Sequence, residues 1–125
     1  MKNKIFIPVS LGEIADKLSV LEVKSKEIKD LIALENVLKE KVALELECKK
    51  NNIEFGEHLN ELVEINHQLW NTLQNQRDKE SNGELDEEFV QISLSVYHIN
   101  DKRFEVKQKI NNLFGSDLVE EKFYK

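Results

Sequence analysis

The segment from Tyr97 to Asn111 reads YHINDKRFEVKQKIN, and it decides how the rest of the chain is interpreted. At about 100° per residue, a helix here places Val96 and Ile110 on its apolar face. A cation removed from water without a partner costs several kcal/mol, so we expect polar residues on this face to meet carboxylates, a ligand or solvent. The polar residues projected onto the same face are Asn100, Arg103, Lys107 and Asn111.

The composition is that of a helical protein. The 125-residue chain is 40% hydrophobic and 34% charged, with one proline and four glycines. So few helix-breaking residues favour long helices. The net charge of −6 argues against nucleic acid as the main partner, because phosphate binding needs a concentrated basic patch. We expect a single domain over residues 1–125.

The N-terminal segment and the single cysteine suggest the compartment. The apolar run in MKNKIFIPVS is interrupted by Pro8 and is too short for a signal peptide or a membrane span. Cys48 has no second cysteine for an intrachain disulfide, so a reducing environment and a buried or half-buried structural thiol are expected. We therefore expect a cytoplasmic protein, with neither a membrane segment nor a cofactor.

The first predicted helix is long. Ser10 is its expected N-cap, and Glu13 three positions later completes a capping-box pattern. The apolar stripe changes phase near residues 29–33, which indicates a bend or a change of packing partner. Because neither glycine nor proline occurs there, we expect one long or slightly bent helix ending near Lys50.

Two further helices complete the predicted fold. The second is expected from about Glu54 to Lys79, with Asn66 in the middle of its apolar face. Asp86 is expected to cap the third helix, which Gly115 ends. The sequence thus predicts an all-α fold, an antiparallel bundle of three main helices, with short extended segments at residues 4–9 and 116–125.

Three interpretations of the polar residues remain open. Arg103 and Lys107 could bury only their methylene stems and reach solvent. They could instead form an internal salt-bridge network or a homodimer interface. Lys17 and Lys24 could also converge with them on a pocket for a dicarboxylate or a sugar phosphate. The candidate binding cations are Lys17, Lys24, Arg103 and Lys107, and the candidate polar seam is Asn66, Asn100, Asp101, Asn111, Glu120 and Glu121.

Metal and nucleophile motifs carry less weight. Glu64 and His67 have the E-x-x-H spacing of di-iron carboxylate bundles, but both project away from the apolar face. The chain contains no HExxH, no paired cysteines and no glycine-rich phosphate loop. We predict no metal site and no catalytic residue.

Four stretches carry a resemblance to a known family. They are IPVSLGEIADKLSVLEVKS (7–25), NHQLW (66–70), VYHINDKRFEVKQKIN (96–111) and GSDLVEEKFY (115–124). Together they resemble a bacterial family of small stand-alone proteins classed as a domain of unknown function. The resemblance implies a single-domain bacterial protein and assigns no activity. The family's motif positions fall on Ser10 to Glu13, Asp16, Lys17, Asn66, Trp70, Asn100, Asp101, Arg103 and Glu120 to Lys122.

A second similarity suggests an enzyme. The stretch EIADKLSVLEVKSKEI (13–28) is similar to the long first helix of the all-helical chorismate mutases, which bind a dicarboxylate between helices. The resemblance implies that Lys17, Lys24 and Arg103 bind a dicarboxylate. However, the chain has only two arginines, Arg77 and Arg103, so the bidentate carboxylate recognition typical of that family is mostly missing.

These observations favour a non-enzymatic interaction or assembly module. The first helix leaves apolar surface at Leu34, Leu38 and Val42, which predicts a homodimer, of coiled-coil type, or another protein partner. The alternative is a small-anion-binding protein or a chorismate-mutase-like enzyme.

Overall fold

The computed structural model describes residues 2–123 and is all-helical over that range. Tyr124, the end of the fourth resembling stretch, and Lys125, the end of the predicted tail, lie outside the described residues. No helix in the described range combines the length and hydropathy needed to cross a membrane. The four helices are α1 (Leu11–Glu27), α2 (Leu31–Lys50), α3 (Glu57–Ser81) and α4 (Glu87–Leu113).

The predicted long first helix is two helices, so the prediction of three main helices is wrong. α1 ends at Glu27, and the next residue, Ile28, has an extended backbone with ψ 127° and donates its N–H to the Lys24 carbonyl. Asp30 then caps α2 by accepting a hydrogen bond of 2.8 Å from the Ala33 N–H. Aspartate binds free backbone N–H groups more readily than it continues a helix. The change of phase near residues 29–33 therefore marks a break.

The other helix ends follow local signals. Ser10 accepts from the Glu13 N–H at 3.2 Å and Asp86 from the Phe89 N–H at 3.0 Å, as predicted. Gly115 has φ 66° beyond the end of α4, a left-handed conformation that glycine adopts without strain. Asn52, with φ 55°, takes the same conformation beyond α2.

α1 is the centre of the fold. It packs against each of the other three helices, while α3 and α4 also pack on each other. α4 runs antiparallel to α1, since Gly12 meets Asn111 and Asp16 meets Arg103. Within the described residues, α2 approaches no helix except α1. The three-helix bundle is thus α1, α3 and α4, with α2 laid on its flank.

The apolar core lies where the bundle meets the end of α2. Ala15, Leu62 and Ile110 are completely buried at its centre. Cys48 packs against this cluster and is half-buried, as predicted. Its burial, with a smaller contribution from the charges of Glu45 and Glu47, raises the pKa of the thiol. A thiol with a raised pKa is mostly protonated and is a poor nucleophile.

Several apolar side chains stay uncovered outside this core. Residues 2–9 are neither helical nor in a strand, and Ile5, Phe6 and Ile7 are exposed there. The outer side of α2 and the α3–α4 hairpin around Leu85 are also apolar and exposed. Exposed apolar surfaces of this kind are typical of sites that contact a partner.

Candidate functional site

The polar site begins with the close approach of α1 and α4 at Gly12. A Cβ at this position would lie 2.4 Å from the Lys107 carbonyl oxygen, a distance that no side chain can occupy. The Gly12 N–H donates to Asn111 Oδ1 at 2.7 Å. This bond satisfies a free N–H in the first turn of α1. Gly12 therefore sets how closely the polar side chains one turn further along can meet.

Asp16 is the buried centre of the site. Arg103 donates to its two carboxylate oxygens, from Nε to Oδ1 at 2.8 Å and from Nη2 to Oδ2 at 2.5 Å. Asn66 on α3 adds a third hydrogen bond, from Nδ2 to Oδ1 at 3.0 Å. The same amide also donates to the buried Ser19 hydroxyl at 2.7 Å. One carboxylate thus links α1, α3 and α4.

The protonation of Asp16 follows from these contacts. Burial raises the pKa of the carboxyl group, but hydrogen bonds from Arg103 and Asn66 and the charges of Arg103 and Lys107 outweigh it. The pKa of Asp16 therefore lies below its ordinary value of 3.8. Hydrogen bonding to Asp16 raises the pKa of Arg103, so the pair is ionised at neutral pH.

Lys107 forms a second ionic cluster one turn from Arg103. Only 7% of the residue is exposed, and its Nζ lies 2.9 Å from Glu13, 2.9 Å from Glu120 and 3.9 Å from Asp16. Burial lowers the pKa of the amine, but the contacts with these carboxylates raise it by a larger amount. The pKa of Lys107 is therefore above its ordinary value. The Glu13 carboxylate, which a capping box directs to the backbone, serves as a partner for Lys107.

The segment after α4 folds back over this cluster. Gln108 donates to the Glu120 carbonyl at 2.5 Å, and Lys122 forms an ion pair with Asp101. Ser116 accepts from the Leu11 N–H at 3.0 Å, which links the segment to the start of α1. The tail therefore lies along α4 and supplies Glu120 to Lys107.

The structure brings together three of the six predicted seam residues, Asn66, Asn111 and Glu120, with two of the candidate cations. Arg103, Lys107 and Glu120 join one ionic network, and Asn66 is hydrogen-bonded to it. Buried Asn111 accepts from Gly12 beside the network, while Asp101 meets the tail through Lys122.

Other predicted positions differ. Asn100 is exposed, so its predicted placement on the buried face is wrong; it lines an open cleft beside Arg103 and Lys107. Glu121 is exposed and takes no part in the network. Lys17 is exposed and Lys24 half-buried, and neither has an ion pair within residues 2–123.

The central carboxylate was not among the predicted site residues. The residues of α1 that meet the other helices here are small or polar: Gly12 and Asp16 contact α4, and Ser19 contacts Asn66 of α3. The missed signal is a run of small or polar residues at spacings of three and four, which places them on one side of a helix. This run is Gly12, Ala15, Asp16 and Ser19.

Two clefts border the network. One of about 190 Å³ lies between α1, α2 and α4, with Val20 and Leu21 among its walls. The other, of about 400 Å³, lies between α1, α4 and the tail, and it includes Phe104. Arg103 lines both clefts. The charged residues of the first cleft are Glu13, Asp16, Lys17, Lys24, Glu40 and Arg103.

The E-x-x-H pair does not build a metal site. His67 is exposed and its Nε2 lies 2.9 Å from Glu27 on α1, while Glu64 is exposed. No group of three or more metal-ligating side chains occurs in the described part of the chain.

Comparison with known proteins found no match: neither a family model, nor a curated protein, nor a solved structure corresponds to the chain. The resemblances to a bacterial family of unknown function and to chorismate mutases stay predictions.

Proposed function

We propose that this protein is a non-enzymatic assembly module that forms a homodimer through α2. The supporting observation is an uncovered apolar stripe along that helix. Leu31 is 79% exposed, Leu38 44%, and Val42 and Leu46 each 53%. Fully burying one such side chain contributes about 1.5–3 kcal/mol, so covering four of them in each of two copies is a large driving force.

α2 carries two apolar stripes, of which one packs against α1 and the other is exposed. Leu34, Val37 and Leu44 recur at helical spacing and are buried or half-buried on the side that packs against α1. Leu38 and Val42 lie on a neighbouring side that nothing in residues 2–123 covers. A helix with apolar residues on two sides is typical of one that packs between two partners.

Charge supports a second copy as the partner. An antiparallel two-fold pairing centred on Val42 places Leu38 opposite the second copy's Leu46 and Glu35 opposite its Lys49. Glu35 and Lys49 are exposed and make no ion pair with the described residues of their own chain. The symmetric arrangement provides each of these four charges with an opposite charge.

The polar network agrees with a structural role. Arg103 and Lys107 are two of the four candidate anion-binding cations, and both contact carboxylates of their own chain. Buried charged networks of this kind can fix the register in which helices pack. We propose that the Asp16 network holds α1 against α4 and so presents α2 at a defined angle.

Light scattering tests the assembly. We expect wild-type protein to have twice the 14.6 kDa chain mass, and Val42→Glu to be monomeric with unchanged helix content by circular dichroism. Leu85→Glu is the matched control, since Leu85 is 67% exposed on the α3–α4 hairpin. A wild-type monomer at high micromolar concentration would rule out the dimer.

A charge exchange tests the orientation of the two copies. Glu35→Lys or Lys49→Glu alone places like charges opposite each other and should weaken the dimer. Combining both substitutions should restore its stability. If the double variant is as weak as the sum of the two single variants, the antiparallel pairing is incorrect.

A further inference from the structure

One edge of the Arg103 guanidinium is bound by Asp16, and the other edge has no hydrogen-bond partner among the described residues. Asp16 accepts from Nε and Nη2, and Asp16 is itself fixed by Asn66. Nη1 donates to no group among the described residues, although the side chain is 28% exposed and lines the 190 Å³ cleft. An arginine oriented in this way is suited to bind an anion, because its position is already fixed before binding.

Two lysines reach the same cleft from α1. Lys17 and Lys24 are separated by two helical turns, about 10 Å, and Val20 and Leu21 between them form part of the cleft wall. A lysine side chain is long enough for both ammonium groups to approach a point midway. Neither lysine forms an ion pair within residues 2–123.

Two lysines of the cleft have no carboxylate partner in the described part of the chain. Asp16 is paired with Arg103, while Glu13 and Glu120 share Lys107. Glu40 on α2 is the remaining carboxylate of the wall and makes no ion pair among the described residues. Lys17 and Lys24 therefore face a single unpaired carboxylate, and an anion bound between them would give both lysines an opposite charge.

We propose that this cleft is a binding site for a phosphate dianion, either free or as the terminal group of a small monoester. Its oxygens would accept hydrogen bonds from Arg103 Nη1, Lys17 and Lys24. Three donors around one point suit a single tetrahedral anion better than a dicarboxylate, whose two ends need separate sites. Glu40 lines the same cleft, where its carboxylate would accept a hydrogen bond from a hydroxyl group of a monoester and would disfavour a second anionic group.

This site is independent of the proposed dimer. Glu40 is two residues from both Leu38 and Val42, and so it lies on nearly the opposite side of α2. A monomeric variant such as Val42→Glu should bind the anion as wild type does. Failure of one proposal is therefore distinguishable from failure of the other.

The test is titration calorimetry of the full chain at constant ionic strength, with inorganic phosphate, glycerol 3-phosphate and succinate. We expect both phosphates to bind at least about tenfold more tightly than succinate. Equal affinities for the two phosphates identify free phosphate as the ligand, and tighter binding of the ester identifies a monoester. Either result supports the site. Equal binding of succinate and phosphate would overturn it.

Variants that leave the Asp16 network intact locate the site. The double variant Lys17→Gln, Lys24→Gln should lose phosphate affinity about tenfold or more, while Glu40→Gln should gain affinity because a repulsive charge is removed. Lys102→Gln is the control, since Lys102 is an exposed lysine of α4 without an ion pair in the described chain. Wild-type affinity in the double lysine variant, confirmed as folded by circular dichroism, would overturn the proposal.

Discussion

Asp16 and Arg103 are 87 residues apart in the sequence, yet they form a two-point ion pair at 2.8 and 2.5 Å. The side chain of Asp16 is 3% exposed and that of Arg103 is 28% exposed. The pair joins the first helix to the last, so its removal should be felt throughout the bundle.

Replacing Asp16 with alanine should destabilise the protein. The substitution leaves Arg103 without its partner and frees the Asn66 amide, and breaking a buried ion pair costs about 3–5 kcal/mol. Because Arg103 is partly exposed, we expect about 2–4 kcal/mol, measured by urea unfolding. Asp101→Ala, which removes the exposed pair with Lys122, is the control and should cost about 1 kcal/mol or less. Equal losses in the two variants would contradict the central role of Asp16.

The contribution of Asp16 should depend on pH. The pKa of this group is lower in the folded protein than its ordinary 3.8, so its stabilising effect is complete well above pH 3.8. As pH falls through the folded value, the native carboxylate takes up its proton and the effect is lost. The difference in unfolding free energy between wild type and Asp16→Asn should therefore be constant near neutral pH and shrink in acid. A difference that grows as pH falls would show that burial, not Arg103, dominates the pKa.

Gly12→Ala should be destabilising although alanine favours helices. Its Cβ would lie 2.4 Å from the Lys107 carbonyl oxygen and 3.0 Å from Asn111 Oδ1, so α1 and α4 must separate. We expect a loss of about 1–3 kcal/mol in thermal or urea unfolding. Asn60→Ala at an exposed position of α3 is the control and should change stability by less than about 0.5 kcal/mol. A neutral Gly12→Ala variant would show that the two helices do not meet closely there.

Asp30→Ala tests the break between α1 and α2. Loss of the cap should cost about 1 kcal/mol and speed hydrogen exchange of the Ala33 amide, whose proton Asp30 accepts. The amide of Phe89, capped by Asp86, should exchange as in wild type. Unchanged exchange at Ala33 would indicate that α1 continues into α2.

Glu120→Ala tests whether the tail is needed by the network. Lys107 keeps Glu13 at 2.9 Å after this change, so we expect a loss of about 1 kcal/mol, smaller than that for Asp16→Ala. Peptide-level hydrogen exchange should increase in residues 116–123, because one of the contacts holding the tail is removed. A loss as large as that for Asp16→Ala would show that Glu120 is the main partner of Lys107.

The helix ends show how far local signals reach. Ser10 and Asp86 cap their helices as expected because an N-cap needs only residues within one turn. Asp30 carries the same signal, but the absence of glycine and proline near it favoured an uninterrupted helix despite the change of phase in the apolar stripe. The helix break is therefore readable from the sequence only when the cap residue is weighed above the pattern.

The sequence by itself determined that the protein is helical and that Arg103 and Lys107 stand on a face that buries polar groups, because helical periodicity depends only on neighbouring residues. Only the tertiary structure decided their partners. Asp16 meets Arg103 because Gly12 lets α1 and α4 approach at one register, and a change of one turn would pair different side chains. Contacts between distant residues depend on this three-dimensional register, which no local pattern encodes.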